Sequence, residues 1–526
     1  MKHLFILGLI FIAFNTYAQR NVILIIADDL GTDYCGFYED YADTANLPNI
    51  RRLLNKGVRF TNVMSNPVCS PTRAGILTGR YSFRTGVGEA VGAAASHTLD
   101  TSEITIPRIL KKYNASIATA NIGKWHLHLQ TPSTNLQIPN LMGYDHYAGN
   151  FLGALTNYYN WTKITNAVSA PCTNYATTET ANDAIKWVKN QGASPFFLWL
   201  AFNAPHTPLH LPPAGLHSYT TLSGTTTDIN ANPKLYFKAS LEALDHEIGR
   251  LFDSLIVYNK MDSTDFIFIG DNGNGIRSSQ IADSSRAKGS IYQYGVQVPY
   301  IISGPSIVNP NRVSKALVNT HDLFATIIEL FGATNWQSKI PVGTTIDSKS
   351  ILPVLKDQSD SIRPWIFTEI FKVISDSADG KTMRNLDYKL LNFDYNHQEF
   401  YHLSIDPTES NDLLLGNLSA TELGNYNYLC NEMTTLVGSG SFCKSLDVTQ
   451  LQEDQIKTLA YPNPFVSQIH ISENSSPESF ELSNFVGQII YQGSQIESQD
   501  FSILAKGVYF LRKSQGGSEI VKLIKE

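Results

Sequence analysis

Short, wholly apolar runs separated by amphipathic stretches constrain this chain more than any other feature. Val22–Ala27, Phe196–Phe202, Phe266–Ile269 and Val298–Ser303 are such runs, with a weaker one at Ile117–Ala120. A strand with one face in water alternates apolar and polar residues, whereas a run that is apolar throughout needs cover on both faces. Helical patterns at Glu179–Lys189 and Leu235–Leu255 lie between the runs and can supply that cover. Strand and helix in alternation predict an α/β fold with a mostly parallel sheet flanked by helices.

In such sheets ligands bind beyond the carboxyl ends of the strands. Polar residues cluster there in this chain: Asp28 and Asp29 after the first run, Lys124 and His126 after the weaker one, His206 after Phe196–Phe202, and Asp271 and Asn272 after Phe266–Ile269. Segments far apart in sequence would thus deliver chemistry to one rim. The 526 residues, 43% hydrophobic and 17% charged, fit a globular chain rather than a disordered one. A net charge of −7 argues against non-specific binding to nucleic acid, yet leaves room for an anionic small substrate in a locally positive pocket.

The character changes along the chain. Lys2 and His3, the apolar run Leu4–Phe14 and Thr16-Tyr17-Ala18 read as a signal peptide over residues 1–18. That run is too short to span a bilayer, and no later stretch approaches the roughly 20 apolar residues a membrane helix needs. Residues 19–345 carry the α/β pattern. Residues 346–445 hold strand-like pieces (Trp365–Glu369, Tyr388–Phe393, Glu399–His402) and a helix near Ala420–Val437, a small α+β subdomain. Residues 446–456 read as a linker. Residues 457–526 hold short strands at Gln468–Ser472, Ser479–Ser483, Gln488–Gln492, Val508–Lys513 and Glu519–Ile524, a small β-sandwich. Of five cysteines, Cys430 and Cys443 could close a small loop, Cys35 and Cys172 could pair, and Cys69 remains.

Cys69-Ser70-Pro71-Thr72-Arg73 opens a helical stretch that runs to Thr78-Gly79-Arg80. Proline suits a first turn, so Cys69 sits where backbone N–H groups favour an anion, with Arg73 one turn on. That is the setting of a low-pKa cysteine, or of a structural one before a capped helix. Asp28-Asp29 and Asp271-Asn272 offer only oxygen ligands, which suits a hard cation such as calcium or magnesium. Alone, Asp-Asp is more often a turn or cap, and Asp-Asn-Gly more often a hairpin turn.

C-x-P-x-R followed by T-G-R resembles the signature of the type I sulfatases of the alkaline phosphatase superfamily, and the resemblance covers roughly residues 20–415. It implies an alkaline-phosphatase-like sheet and a secreted sulfuric ester hydrolase. It implies oxidation of Cys69 to Cα-formylglycine (3-oxoalanine) by a formylglycine-generating maturase. It also implies calcium held by Asp28, Asp29, Asp271, Asn272 and residue 69, with magnesium second. Gly123-Lys124-Trp125-His126 resembles the family's G-K-W-H, in which Lys124 would bind a sulfate oxygen and His126 would act as base. Two residues on, the family usually has glycine, whereas this chain has His128, an extra polar group near the rim. Ala204-Pro205-His206 and Lys288-Gly289-Ser290 match segments whose His206 and Lys288 would reach the sulfate and the leaving oxygen. Beyond Lys288 the pattern departs, with Gln293 and Gln297 at positions that are charged in the family. His321, Asp322 and Asp245 read as structural. His210 reads as a surface or core histidine. The sequon at Asn160 carries no function here.

Tyr461-Pro462-Asn463-Pro464-Phe465, Gly507-Val508-Tyr509-Phe510-Leu511 and the basic-apolar end Val521–Lys525 resemble a type IX secretion sorting domain. The partners implied are a sulfated carbohydrate, the maturase and the type IX machinery, with no nucleic acid and no membrane anchor, and the place implied is the cell surface or beyond. Two alternatives share these residues: a phosphonate or phosphate ester hydrolase of the same superfamily, and a non-catalytic glycan-binding protein.

Overall fold

A computed structural model describes residues 20–38, 41–92, 96–438, 442–444, 460–471, 479–484, 488–513 and 520–526. The expected signal peptide and the 446–456 linker lie outside them. The chain divides into two compact units, Met1–Cys443 and Lys444–Glu526.

The first unit is built on a ten-stranded sheet. In chain order its strands are β1 Asn21–Ala27, β2 Gly57–Met64, β3 Ala118–Lys124, β4 His146–Asn150, β5 Trp161–Thr165, β6 Val168–Cys172, β7 Phe196–Ala201, β8 Thr264–Gly270, β9 Tyr300–Ser303 and β10 Arg312–Asn319. Their spatial order is β10-β2-β9-β8-β1-β7-β3-β4-β5-β6. The centre, β8-β1-β7-β3-β4, is parallel throughout. Side chains alternate across a strand, so Val22, Leu24 and Ile26 enter one core while Ile23, Ile25 and Ala27 enter the other. Helices cover both faces, Ala176–Lys189 and the 25-residue Pro233–Val257 on one, Ile106–Tyr113 and Leu323–Leu330 on the other. This is why β1 is apolar from Val22 to Ala27.

The structure corrects three expectations. The run at Val298–Ser303 becomes β9, which is antiparallel to both β8 and β2. The segment after β8 returns to the same end of the sheet, where Gly270 N–H donates to the Pro299 carbonyl at 3.2 Å. A strand starting there must run backwards. The weak run at Ile117–Ala120 extends to Lys124, so Lys124 ends the strand instead of following it. Cys35 and Cys172 are both buried free thiols, while Cys430 and Cys443 form a disulfide.

Four antiparallel strands finish this unit: β11 Ile366–Ile370, β12 Gly380–Arg384, β13 Tyr388–Phe393 and β14 His397–His402. The helix Ala420–Val437 starts at a capping box between Ser419 and Glu422. In the second unit, strands at Phe480–Asn484, Ile489–Gly493, Gly507–Lys513 and Ile520–Lys525 form one sheet, and Ala460–Tyr461 pairs with His470–Ile471. Phe465, Leu482, Leu511 and Leu523 lie in its own apolar core.

Candidate active site and metal centre

The carboxyl ends of β1, β3, β7 and β8 bring the predicted residues together. Asp28 and Asp29 follow β1, and Asp271 and Asn272 follow β8 in register beside it. Asp29 N–H donates to Asp271 Oδ1 at 3.0 Å, and Asn272 Nδ2 donates to Asp29 Oδ1 at 2.8 Å. Two pairs about 240 positions apart (|i−j| = 242 for Asp29 and Asp271) thus share one floor.

Cys69 is the first residue of the helix Cys69–Thr78, all of which is buried. Helix N-termini leave N–H groups without intrahelical partners and draw negative charge. Arg73, one turn on, donates from Nε (3.1 Å) and Nη2 (2.7 Å) to Asp271 Oδ2 and from Nη1 to the Lys124 carbonyl (3.1 Å). Burial works against its charge, but Asp271, Asp28 and Cys69 outweigh that and hold the guanidinium firmly protonated. Lys124 Nζ lies 2.5 Å from Asp28 Oδ2, with both side chains fully buried.

Local geometry explains the G-K-W-H segment. Gly123 has φ of 103°, and a Cβ there would fall 1.8 Å from the Ala201 carbonyl oxygen, so only glycine fits. His126 adopts φ of 51° and Asp29 φ of 62°, a left-handed backbone that non-glycine residues rarely take. Such strain gathers at functional sites. His126 Nδ1 lies 3.1 Å from Cys69 Sγ. Its Nε2 meets the Val91 carbonyl at 2.8 Å, which places the ring proton on Nε2 and a lone pair toward Cys69. Burial, then the charges of Lys124 and Arg73, push this imidazole well below its ordinary pKa and keep it neutral.

Lys288 and His206 approach Asp29 from the open side. Lys288 Nζ is 2.5 Å from Asp29 Oδ1, and His206 Nε2 is 3.5 Å from Asp29 Oδ2. Burial opposes ionisation of Asp29, but His206 and Lys288 outweigh it and hold the carboxyl far below its usual range. Burial likewise opposes the Lys288 charge, and Asp29, Cys69 and Asp28 overcome it, so the ammonium is retained.

The donor set fits a hard cation. Asp28 Oδ1 and Asn272 Oδ1 are buried acceptors without a hydrogen-bond partner among the described residues; Arg73 Nη2 lies 3.9 Å from the former, an ion-pair distance rather than a bond. Ligand atoms of Asp28, Cys69 and Asp271 lie within 4.8 Å of one another, as do those of Asp28, Asp29 and His206. Every candidate residue therefore reaches one rim.

Sequence reasoning did not assign a role to Ser70 or Val91. Ser70 Oγ donates to the His126 carbonyl at 2.7 Å and accepts from Val91 N–H at 3.0 Å, so the pair fixes the His126 ring. Only tertiary contact reveals them, although Ser70 lies inside the cysteine motif. Asp245 accepts from Asn49 and Ile50 N–H and so caps the helix Pro48–Asn55, while Asp322 closes a capping box with Asn319. His210 packs between Tyr158 and Tyr175.

Fold and site together define an α/β protein with a buried thiol, cations and a carboxylate floor at the carboxyl rim of its sheet. The sulfatase family profile matches residues 20–333, and the chain belongs to that family. The profile for the C-terminal region of N-sulphoglucosamine sulphohydrolase matches 287–429, and that of the secretion system C-terminal sorting domain matches 459–526. Mouse arylsulfatase J is 27% identical over 385 residues, 69% of this chain and 60% of its own length. Human N-acetylgalactosamine-6-sulfatase is 27% identical over 368 residues, 64% of this chain and 65% of its own. The chain thus spans less than two thirds of these two relatives. The crystal structure of Ps i-CgsB in complex with k-i-k-neocarrahexaose shares the fold, with a TM-score of 0.64 at 24% identity over 80% of this chain and 92% of its own. Among the described residues no helix is long and apolar enough to cross a membrane.

Proposed function

We propose that this protein is an exported sulfatase that hydrolyses sulfate esters of saccharides. The observation that carries the reading is the 3.1 Å approach of His126 Nδ1 to residue 69 within a rim that also gathers Arg73, Lys124 and Lys288 over a carboxylate floor. Names of relatives add the substrate class: an N-acetylgalactosamine-6-sulfatase and a carrahexaose complex both concern saccharides.

Residue 69, as formylglycine made by a maturase, supplies a hydrated aldehyde whose hydroxyl is a strong oxygen nucleophile that a plain side chain cannot offer. Asp28, Asp29, Asp271 and Asn272 would hold calcium, which would supply positive charge to the site. The chain's own residues do the rest. Arg73, Lys124 and Lys288 give an anion a positive seat in a protein of net charge −7. Neutral His126 takes a proton at Nδ1 from residue 69, and its bond to Val91 keeps that nitrogen free to do so. Lys288 and His206 stabilise and protonate the leaving oxygen. Ser70 holds His126 in place. The tail matching a sorting domain engages the type IX machinery and carries the enzyme to the cell surface or beyond.

The test is sulfate release by mature enzyme from defined sulfated oligosaccharides, alongside paired aryl sulfate and aryl phosphate esters. Sulfate should be released, with calcium present. Turnover confined to phosphate esters, or saccharide binding without turnover, would replace this reading.

A further inference from the structure

Gln293 and Gln297, where the chain departs from the family pattern, line a cavity of about 390 Å³ in the first unit. None of the residues gathered around residue 69 lines it. Arg384, at the end of β12, is 4% exposed and is held on one side only. Its Nε donates to the Asn385 carbonyl at 3.0 Å, and its Nη2 to the Leu386 carbonyl at 2.8 Å and to Asn62 Oδ1 at 3.3 Å. Nη1 makes no hydrogen bond among the described residues, yet it is not sealed from the cavity. Gln293, 6% exposed, repeats the arrangement: its Oε1 faces Lys389 Nζ at 3.5 Å, while its Nε2 is unpartnered among the described residues and open. Exposed Lys315 on β10 adds a third donor to the same lining.

The charges do not cancel. Glu409 pairs with Lys389 at 2.8 Å, and among the described residues Arg384 has no carboxylate at ion-pair distance. Burial pushes Arg384 down to about 10, against Glu409 and Asp387, so it stays cationic at neutral pH. In the lining, Arg384 and Lys315 face one carboxylate, that of exposed Asp387, and the two glutamines add no counter-charge. Convergent N–H donors around an excess of positive charge suit an oxyanion. The volume is far more than a free ion fills, at roughly 30 Å³ per water molecule, and is of the size that takes a small organic ligand. A neighbouring cavity of about 520 Å³ shares Gln297 and Pro407 with it and is lined by Tyr41, Tyr292 and Tyr294. Tyrosine rings offer an apolar face and a polar tip, which suits a sugar.

We propose that this cavity is a second glycan site, in which Arg384, Gln293 and Lys315 hold a sulfate group of the polysaccharide away from residue 69. The inference rests on the sulfatase reading for the class of ligand. Such a site keeps an anionic polymer on a protein of net charge −7 that would otherwise repel it.

The test is calorimetric titration of the Cys69→Ala protein, which binds without turnover, with disaccharides of carrageenan, chondroitin sulfate and heparin, their desulfated forms, and sodium sulfate. The disaccharide that binds best should occupy two sites. Lys315→Glu and Gln293→Glu, each added to Cys69→Ala, should weaken one site by about tenfold and leave the other within about twofold, because each sets a carboxylate against the sulfate. Lys315 is exposed, so its replacement keeps the fold. With residue 69 intact, each change should raise KM for the parent polysaccharide by about fivefold and leave kcat/KM for 4-nitrophenyl sulfate within about twofold. If wild type releases no sulfate, the sulfatase reading falls, and the titrations still decide whether the cavity binds a sulfated sugar. A single site, affinity unmoved by either change, equal binding of the desulfated sugar, sodium sulfate bound as tightly as the disaccharide, or an equal loss on 4-nitrophenyl sulfate would each overturn the proposal.

Discussion

Two buried clusters of charge in the same unit look alike in composition and differ in what they leave over. One is the rim of Asp28, Asp29, Arg73, Lys124 and Asp271. The other joins Asp322, Arg363, Asp347 and Arg84. In the second, Asp322 accepts from Asn319 N–H, Lys349 N–H and Arg363, and Asp347 accepts from Tyr81 N–H and Arg84. Among the described residues, its buried atom without a hydrogen-bond partner is a nitrogen, Arg363 Nε. At the rim such atoms are oxygens, Asp28 Oδ1 and Asn272 Oδ1. Burial of charge therefore does not mark a site. Surplus buried oxygens beside Cys69 set the rim apart, because oxygens of that kind suit a cation.

The comparison can be broken at its strongest point first. Cys69→Ala should lower kcat by several orders of magnitude while calorimetric melting stays near wild type, since the change is small in volume and removes a single side-chain contact, that to His126. Comparable activity in this variant would remove residue 69 from the reaction. In the second cluster the effect should move from rate to stability. Arg363→Met leaves Asp322 buried without its guanidinium partner and should cost about 3–5 kcal/mol of unfolding free energy. Denaturant melts would show it, with kcat of the folded fraction preserved; a stable variant with a lowered kcat would erase the contrast between the clusters.

A finer cut separates roles within the rim. Lys288→Ala should reduce kcat/KM on sugar sulfates by on the order of a hundredfold and on aryl sulfates far less, because a sugar alkoxide needs a proton to leave and a phenol does not. Equal losses would assign Lys288 to sulfate binding alone. Chelation followed by readdition sharpens the surplus-oxygen argument: calcium should restore turnover better than zinc. The smallest effect belongs to the other unit. Removing residues 457–526 should leave kcat/KM of purified enzyme within about twofold, because those residues have their own core. A large loss would give the tail a part in substrate binding.

The rim was legible in sequence because its residues adjoin apolar runs. Asp28 follows Ile25-Ile26-Ala27 and Asp271 follows Ile267-Phe268-Ile269-Gly270, so strand ends announced them. Elements without such runs stayed hidden. Val168–Cys172 is exposed along most of its length, and Gly380–Arg384 mixes glycine, lysine and arginine with its apolar residue. Each is held by its partner strand rather than by its own pattern. The reversed direction of Tyr300–Ser303 depends on where the preceding loop returns, which no local periodicity encodes. Pairing of cysteines is likewise a matter of distance: Cys430 and Cys443 come within 5.1 Å at Cα, while Cys35 and Cys172 each stay buried as thiols. Ser70 was visible as a residue and silent as a role, since its two hydrogen bonds reach 56 and 21 positions away.

The depth of residue 69 also sets an order of events in time. Cys69 is 1% exposed in a helix whose residues are all buried, at the rim of a sheet whose strands arrive from as far along the chain as residue 319. No second protein can work on that side chain once those strands have closed over it. An enzyme that oxidises the thiol must therefore meet a nascent or unfolded chain. Machinery that recognises residues 459–526 faces no such limit, because that unit has its own core and does not depend on the state of residue 69. On the proposed reading, folding itself separates the two events: oxidation of residue 69 comes before it, and delivery can wait until after.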